Sequence, residues 1–353
     1  MSVGIAVLGF AHGHVDAYCA QWRNDPSMGV EVRAAWDHNA ERLAQAAARH
    51  GLRAQKSLDE LLARDDLPAV VVAAETSLHA ELVEKAAAAG KSIVVQKPLA
   101  LTLPEADRIV AAVKRHGVPF TVAWQMRLDP QNVKMKEMLQ SGELGQVFMV
   151  RRRHGLGVGL SPAFLESWHV KPDLNRDIWA DDAAHPIDWL HWLLGVPETV
   201  TAEIESLYSP KMPMDNGIAL FRYPGGPVAE VCCSFTLAAG ENTTEIVAEK
   251  GVIIQNYGDA PSCGVPRPPD APGLKWYLTA RNDWTVSDLP SPTGQGERIA
   301  ALARPLADFL LGRRPPIATA EEGRTSLRML LACYVSAREG RRVRIDDPAV
   351  AEV

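Results

Sequence analysis

Short hydrophobic runs alternate with amphipathic segments through the first third of the chain. The runs are typical of buried strands, and the segments between them repeat hydrophobic residues at helical spacing. The pattern predicts strands at residues 4–8, 30–36, 69–74, 92–96 and 119–124, and helices at residues 40–50, 78–89 and 104–116. Such an alternation of strand and helix is typical of an α/β fold with a doubly wound parallel sheet.

Local signals mark the ends of these helices. Gly51, Gly90 and Gly117 each follow a predicted helix, in the position where a glycine commonly ends one. Two Ser/Thr-x-x-Glu motifs, at residues 57–60 and 102–105, have the spacing of a capping box and indicate helix starts. The helix boundaries in this region are therefore predicted from both pattern and capping.

Beyond about residue 145 the pattern changes to longer segments rich in strand-forming residues. We predict strands at residues 146–153, 199–207, 217–223, 228–235 and 243–254, and helices at residues 186–194, 299–311 and 320–339. Hydrophobic and polar residues alternate through residues 199–205, as expected for a strand with one covered face. An antiparallel or mixed sheet fits this part of the chain.

The length of 353 residues exceeds what one hydrophobic core usually supports. We therefore predict two domains, residues 1–123 and residues 124–353. Hydrophobic residues make up 47% of the chain and charged residues 23%, which is ordinary for a soluble globular protein and argues against disorder.

The charge of the chain argues against a nucleic-acid partner. The formal net charge is −6, whereas binding to phosphates requires a basic face. We interpret the sharpest basic run, residues 151–153, as a strand end or a solvated edge, with a phosphate site as the alternative.

The cysteines and the N-terminus indicate a cytoplasmic protein without membrane association. The five cysteines are odd in number and show no Cys-x-x-Cys spacing, which predicts neither a disulfide framework nor a zinc cluster; they are Cys19, Cys232, Cys233, Cys263 and Cys333. Residues 1–8 lack the basic and long apolar regions of a signal peptide. No apolar stretch reaches transmembrane length.

A glycine-containing turn follows the first predicted strand and has the sequence Gly9-Phe10-Ala11-His12-Gly13-His14. Its position between a strand and a helix is that of a dinucleotide-binding turn. Gly9 would permit the tight turn, while the small Ala11 and Gly13 would let backbone N–H groups approach a pyrophosphate. Ala11 and His14 replace two glycines of the usual pattern, so an ordinary strand-to-helix turn stays the alternative. We expect His14 to pack against the first helical turn, with cofactor contact as the other option.

Asp37 ends the second predicted strand, where an acidic side chain can accept hydrogen bonds from the ribose of an adenosine. A carboxylate in this position would repel the 2′-phosphate of NADP, so the sequence favours NAD. A solvated turn aspartate is the alternative interpretation. Because His38 and Arg42 lie close by in the sequence, NADP stays possible.

Several motifs in distant parts of the chain occur together. Lys97 follows the strand predicted at residues 92–96, where α/β enzymes gather their chemistry. The other motifs are Thr76-Ser77-Leu78-His79, Arg127-x-x-Pro130, and an Asp, His and Asp at Asp181, His185 and Asp188. The combination resembles the Gfo/Idh/MocA family, named after glucose–fructose oxidoreductase and inositol dehydrogenase. Where that family typically has Glu-Lys-Pro, this chain has Gln96-Lys97-Pro98.

The resemblance implies a fold, a reaction and a set of cofactor residues. The fold would be a Rossmann domain followed by an α/β domain with an open-faced, mostly antiparallel sheet, used to form homodimers or homotetramers. The reaction would be the NAD-dependent oxidation of a secondary hydroxyl on a sugar or cyclic polyol. The residues assigned to the cofactor are Gly9, Phe10, Ala11, His12, Gly13, His14, Asp37, Thr76, His79, Gln96 and Lys97.

Hydride removal from an alcohol requires a base for the hydroxyl proton and a cation to stabilise the alkoxide. We assign His185 as the base, Lys97 as the cation, and Asp181 as the carboxylate that orients the imidazole. Pro186 disfavours helical geometry at His185, which predicts a helix start there with Asp181 in the preceding turn. The alternative is a kinked helix with Asp181 and His185 on one face.

Five further residues are candidates for substrate binding: Trp124, Arg127, Trp168, His169 and Asp188. Aromatic faces with a polar tip suit polyols. The alternatives are core packing for Trp168, a surface salt bridge for Arg127 and a structural hydrogen bond for Asp188. His169, Asp181, Asp182 and His185 also form a possible ligand cluster, but their spacing fits no standard metal motif, so we predict no metal.

Two other functions compete with the NAD-dependent dehydrogenase. One is an NADP-linked reductase of a keto-sugar, which Asp37 disfavours. The other is a non-catalytic sensor that binds a dinucleotide. The presence of Lys97, Asp181 and His185 argues against the sensor, because binding alone does not need these three residues.

Overall fold

The computed structural model describes residues 2–239, 241–256, 271–291 and 294–353. Cys263 lies outside these residues. The chain divides into two compact units, one of Met1–Gln125, Asp173–Asn175 and Ile299–Arg324, the other of Met126–Pro172, Arg176–Arg298 and Thr325–Val353. Among the described residues we find no helix whose length and hydropathy would let it span a bilayer.

The first unit contains a six-stranded parallel sheet with the strand order β3-β2-β1-β4-β5-β6. The strands are β1 (Val3–Leu8), β2 (Val30–Trp36), β3 (Arg53–Ala54), β4 (Ala69–Val72), β5 (Ser92–Val95) and β6 (Phe120–Val122). The order reverses between β1 and β4, and ligands of doubly wound sheets bind beyond the carboxyl ends of the strands at such a point. The doubly wound parallel sheet predicted from the sequence is confirmed.

Helices connect these strands: α1 (His14–Asn24), α2 (Ala40–His50), α3 (Leu58–Leu62), α4 (His79–Ala88) and α5 (Leu103–His116). Gly51 and Gly117 follow α2 and α5 with φ angles of 68° and 61°, a left-handed conformation that glycine adopts without steric cost. At the start of α5, the Thr102 side chain and the Glu105 side chain form the reciprocal capping box. The predicted helix ends agree with the structure to within a residue or two.

The second unit contains a nine-stranded sheet with the order β14-β13-β12-β11-β7-β10-β9-β8-β15. The strands are β7 (Val147–Gly155), β8 (Thr199–Glu205), β9 (Asn216–Arg222), β10 (Val228–Ser234), β11 (Thr243–Ala248), β12 (Gly251–Gln255), β13 (Leu274–Leu278), β14 (Asp283–Val286) and β15 (Val343–Arg344). β7 and β10 pair in parallel, while the other neighbours are antiparallel, so the sheet is mixed as predicted. In β8, residues alternate between buried and exposed, which confirms one covered face.

The remaining helices are α6 (Pro130–Gln140), α7 (Pro172–Asn175), α8 (Ala184–Leu194), α9 (Gln295–Ala300), α10 (Ala303–Leu310) and α11 (Ala320–Glu339). A π-helical turn, Trp179–Ala183, leads directly into α8. The Thr319 and Glu322 side chains each accept a hydrogen bond from the other's backbone N–H at the start of α11.

Two sequence predictions are wrong, and a third is wrong for one residue of its segment. Residues 243–254, predicted as one strand, form the hairpin of β11 and β12. Gly251 begins the second strand, and it packs so closely against β13 that an added Cβ would lie 2.3 Å from the carbonyl oxygen of Tyr277. Residues 299–311 contain a helix break before α10, since Pro305 is tolerated only in a first helical turn. In the basic run of residues 151–153, Arg151 and Arg153 are exposed as expected. Arg152 is instead fully buried within β7 and donates to Thr244 and Gln255, because the two-residue period of a strand turns it to the covered face.

Candidate active site

The turn after β1 packs against the end of β4 in the first unit. Gly9 has a φ angle of 86°, and a Cβ added to it would lie 2.5 Å from the Cα of Ala74. The backbone N–H of His12 donates to the carbonyl oxygen of Ala73 at 3.0 Å. Only glycine fits at position 9, both for its backbone angle and for the space available.

Open space lies in front of the first helix. Gly13 is the N-cap of the eleven-residue α1, and a Cβ added there would meet nothing within 4 Å. The N–H groups of a helix start, together with the helix dipole, attract phosphate. The space and the donors fit a dinucleotide pyrophosphate. His14 packs its ring edge against the buried His12, with the ring centroids 4.3 Å apart.

Asp37 is held by four donors. Its Oδ2 accepts from the backbone N–H of Phe10 at 2.8 Å and from Arg42 Nε at 2.7 Å, and its Oδ1 accepts from the backbone N–H of Asn39 and from Arg42 Nη2, both at 2.8 Å. The carboxylate is fully buried. Arg42 also bonds Glu75, which follows β4. Asp37 is therefore bound into the protein itself, and ties the turn of residues 9–14 to α2.

His79 and Thr76, predicted to contact the cofactor, lie in the interior of the first unit. His79 is fully buried, with Nδ1 3.0 Å from the carbonyl oxygen of Pro98 and Nε2 3.3 Å from that of Ala74. Burial lowers the pKa of this histidine from 6.5 to about 4, so its ring is neutral at neutral pH. The Thr76 hydroxyl donates to Asn175 Oδ1 at 2.6 Å.

Lys97 follows the carboxyl end of β5, between the buried Gln96 and a cis peptide bond to Pro98. Only 4% of Lys97 is exposed. The backbone N–H of Gln96 donates to the carbonyl oxygen of Val72 in β4 at 3.0 Å. Lys97 thus emerges from the same edge of the sheet as the turn after β1.

In the second unit, His185 occupies the first turn of α8, directly after the π-helical turn. Its Nε2 lies 3.6 Å from Asp182 Oδ1, and the Nε2 of His154 in β7 lies at the same distance from that oxygen. Both histidines are about 3% exposed, and their ring centroids are 6.1 Å apart. One carboxylate is therefore placed beside two buried imidazoles.

Asp181 carries a second carboxylate–imidazole contact in the same unit. Its Oδ2 lies 2.6 Å from Nδ1 of His169. The His169 ring stacks on Trp168 with a centroid distance of 4.1 Å and on Phe164 with a centroid distance of 5.3 Å. The two adjacent aspartates thus face different histidines.

Arg127 and Asp188 form a buried pair in this unit. Arg127 donates through Nε and Nη2 to the two oxygens of Asp188 at 2.9 and 2.8 Å, and the Ser326 hydroxyl donates to Asp188 at 2.8 Å. Both charged side chains are at most 2% exposed, so the pair is not a surface salt bridge. Trp124 in the first unit is also buried, at 2% exposure.

Two family models match this chain. The model of an oxidoreductase family with an NAD-binding Rossmann fold matches residues 3–124, and the model of the GFO/IDH/MocA C-terminal domain matches residues 132–254. The chain belongs to the Gfo/Idh/MocA family. It is an oxidoreductase with an NAD-binding Rossmann domain, which confirms the resemblance, the enzyme class and the cofactor class predicted from the sequence.

Several proteins are similar to this chain over most of their length. The 1,5-anhydro-D-fructose reductase of Ensifer adhaerens is 27% identical over 91% of this chain and 92% of its own. The levoglucosan dehydrogenase of Pseudarthrobacter phenanthrenivorans is 30% identical over 73% of this chain and 74% of its own. The crystal structure of the WlbA dehydrogenase from Bordetella pertussis with NADH and UDP-GlcNAcA has a TM-score of 0.78 at 24% identity, covering 97% of both chains.

Sequence reasoning missed His154, Glu75 and the pairing of Arg42 with Asp37, and it considered Asp182 only as a member of a metal-ligand cluster. Asp182 was visible three residues before His185, but the i,i+4 partner Asp181 fitted the family motif better. His154 and Glu75 come from distant strands, and no local pattern links them to their partners. Among the described residues, no group of three His, Cys, Asp or Glu side chains is arranged to hold a metal ion.

Proposed function

We propose that this protein oxidises a secondary hydroxyl of a sugar, a cyclic polyol or a sugar derivative and transfers the hydride to NAD. The observation that carries the proposal is the buried His185 beside the Asp182 carboxylate at the start of α8. An imidazole titrates near neutral pH, and a neighbouring anion stabilises its charged form after it has accepted a proton. The relatives named for 1,5-anhydro-D-fructose and levoglucosan support a sugar-like substrate.

We assign His185 as the base that accepts the hydroxyl proton and Lys97 as the cation that stabilises the developing alkoxide. Lys97 is almost completely buried, and a charge acts more strongly where little water screens it. Bound NAD would accept the hydride. The proton and the hydride both leave the same alcohol, which becomes a ketone.

The cofactor would be held mainly by backbone groups of the first unit. Gly13, the N-cap of α1, borders open space in which a pyrophosphate would fit at the positive end of the helix dipole. We propose that His79 and Thr76 support this site from within, because both bond to other protein groups. His79 then acts as a positioning residue for the segment that carries Lys97.

On the substrate side, we propose that Trp168 and His169 present an aromatic surface to the sugar. The two rings are stacked, and both residues are partly exposed, as a binding surface requires. The Asp181 carboxylate fixes one nitrogen of His169. Arg127 and Asp188 satisfy each other's charges, so we assign them to the support of α8 and not to substrate contact.

We also propose that a second copy of the chain covers the outer face of the nine-stranded sheet. Met149, Ile218 and Leu220 lie on that face and are between 43% and 47% exposed. Exposed hydrophobic groups of this kind mark interaction surfaces. Size-exclusion chromatography with light scattering tests this assignment, and a monomeric protein would contradict it; Leu220→Asp should reduce the assembly.

Turnover of a defined substrate panel tests the proposed reaction. Purified protein is incubated with NAD and a set of polyols, aldoses and sugar acids, and NADH formation is followed by absorbance. We expect turnover of at least one member, and its loss in His185→Ala. A protein that binds NADH but turns over no member of a broad panel would instead support the non-catalytic sensor.

A further inference from the structure

Arg42 lies between two buried carboxylates at the carboxyl edge of the parallel sheet. Its Nε and Nη2 donate to Asp37 at 2.7 and 2.8 Å, while Nη1 and Nη2 donate to Glu75 at 2.8 and 3.1 Å. Asp37 comes directly after β2, and Glu75 comes after β4. The three side chains therefore join two strand ends that flank β1.

Asp37 and Glu75 together accept most of the hydrogen bonds that the Arg42 guanidinium can donate. A guanidinium has five N–H donors, and four of them bond to Asp37 and Glu75. The cluster also combines one positive charge with two negative charges. His38, whose side chain is 44% exposed, also lies beside the cluster, with Nδ1 3.5 Å from Asp37 Oδ1 and 3.7 Å from Glu75 Oε2. With a neutral His38, the cluster has a net negative charge.

The cluster lies at the end of β2 and β4, where a bound dinucleotide would place its adenosine ribose, and NAD and NADP differ by the 2′-phosphate on that ribose. In a doubly wound sheet the acidic residue after the second strand lies near the adenosine ribose, and an arginine nearby accommodates the 2′-phosphate of NADP. Here the arginine is present, but its charge is neutralised and its donors are turned towards protein carboxylates. Both oxygens of Asp37 are also occupied, by Arg42 and by the backbone N–H groups of Phe10 and Asn39.

We propose that Glu75 is a specificity-determining residue that makes the dinucleotide site favour NAD over NADP. Glu75 holds Arg42 in a conformation in which it cannot pair with a 2′-phosphate, and adds a negative charge that repels that phosphate. Specificity of this kind comes from an unfavourable interaction with the competitor. The inference rests on the proposed NAD-dependent function. Glu75 lies outside the glycine-containing turn of residues 9–14.

A purely structural role for Glu75 makes a different prediction. If Glu75 only anchors α2 to the sheet through Arg42, its removal should weaken NADH and NADPH equally. If Glu75 determines specificity, its removal should change the ratio of the two affinities. The ratio of dissociation constants therefore separates the two roles.

The experiment titrates the intact protein with NADH and NADPH and follows nucleotide fluorescence, so no sugar substrate is needed. Glu75→Gln removes the negative charge with little change in volume, and leaves Asp37 as the remaining carboxylate of the cluster beside Arg42. The matched control is Glu41→Gln, which removes a carboxylate one residue from Arg42 that bonds to Gln45 instead. We expect Glu75→Gln to raise NADPH affinity relative to NADH by about tenfold, which corresponds to about 1.4 kcal/mol. Glu41→Gln should leave the ratio within about twofold of the wild type, a shift of under about 0.5 kcal/mol.

A second change shows whether the gain acts through Arg42. In the double variant Glu75→Gln/Arg42→Gln, the gain in NADPH affinity should disappear, because no cation remains to pair with the phosphate. The gain should also fall at high salt, as screening weakens exposed charge interactions. If Glu75→Gln does not fold, Glu75→Ala provides the same comparison.

Three outcomes would overturn the inference. A wild-type protein that binds NADPH more tightly than NADH is one, and an unchanged affinity ratio in a folded Glu75 variant is another. An unchanged affinity ratio leaves the proposed NAD-dependent function intact. A wild type that binds neither nucleotide would overturn the proposed function as well, which distinguishes that failure from the failure of the inference alone.

Discussion

The imidazole of His79 at the start of α4 lies 3.0 Å from the carbonyl oxygen of Pro98, the residue after Lys97. The same ring reaches the carbonyl oxygen of Ala74 through Nε2. One buried side chain therefore links the end of β4 to the segment that carries the proposed catalytic lysine. Its protonation should affect both the stability of the first unit and the position of Lys97.

Acid should destabilise the protein through His79. Burial lowers its pKa from 6.5 to about 4, so below about pH 6.5 the unfolded chain binds a proton that the folded chain does not. The contribution of the neutral ring is complete above pH 6.5 and is lost as the pH falls towards 4, by an amount on the order of 3 kcal/mol. Urea unfolding across this range should show a shallower loss of stability in His79→Asn than in the wild type.

His116→Asn is the control for that experiment, because His116 is exposed at the end of α5. It should follow the wild-type pH dependence. If His79→Asn also follows it, the buried ring does not cause the acid sensitivity.

Lys97→Ala should reduce turnover roughly 10²-fold to 10³-fold, because the alkoxide loses its stabilising cation. The affinity for NADH should stay measurable, since the backbone of the turn after β1 is unchanged. Steady-state kinetics on the substrate found in the panel, together with nucleotide titration, measure the two effects separately. Lys85→Ala, an exposed lysine of α4, should behave like the wild type, and near-normal turnover in Lys97→Ala would remove Lys97 from the mechanism.

Asp182 should matter more for turnover than Asp181. Asp182 lies beside His185, whereas Asp181 contacts His169. We expect Asp182→Asn to lower kcat roughly tenfold or more, because the protonated base loses its nearby anion. Asp181→Asn should act mainly on KM through His169. Kinetic constants of the two single variants decide the order, and a larger loss of kcat in Asp181→Asn would support Asp181 as the orienting carboxylate.

Arg127→Ala should destabilise the second unit by about 3–5 kcal/mol, because it leaves the buried Asp188 carboxylate without its cation. The free energy of unfolding in urea measures the loss. Arg127→Met combined with Asp188→Leu removes both charges and should recover much of the stability. If Arg127→Ala keeps its stability but raises KM strongly, Arg127 contacts the substrate and the structural assignment is wrong.

The parallel sheet was predictable because its signals are local. Five of the six strands of the first unit lie in short, mainly hydrophobic runs, and glycine or a capping box marks helix ends beside them. The sixth, β3, is a pair of exposed residues that the pattern did not predict. The hairpin β11–β12 was missed for the opposite reason: hydrophobic residues lie on both sides of its two-residue turn, and the close packing at Gly251 depends on β13. That contact cannot be inferred from neighbouring residues.

In the candidate site, too, the residues with local sequence signals were predicted and those that depend on tertiary contacts were not. Lys97 and His185 stand next to prolines in recognisable motifs, so the sequence alone named them. The proximity of Asp182 to His185 involves the π-helical turn, whose hydrogen-bond spacing differs from that of the α-helix assumed in sequence-based spacing arguments. His154 comes from β7, about thirty residues earlier, and joins the site only through tertiary packing.

The contact between Gly9 and Ala74 limits how this enzyme can be engineered. Even one methyl group on residue 9 would overlap the backbone after β4, so variation of the nucleotide site by mutating that glycine would damage the scaffold itself. A change of cofactor, whether in natural divergence or in the laboratory, would therefore have to come from positions such as 42 and 75, while residue 9 stays fixed.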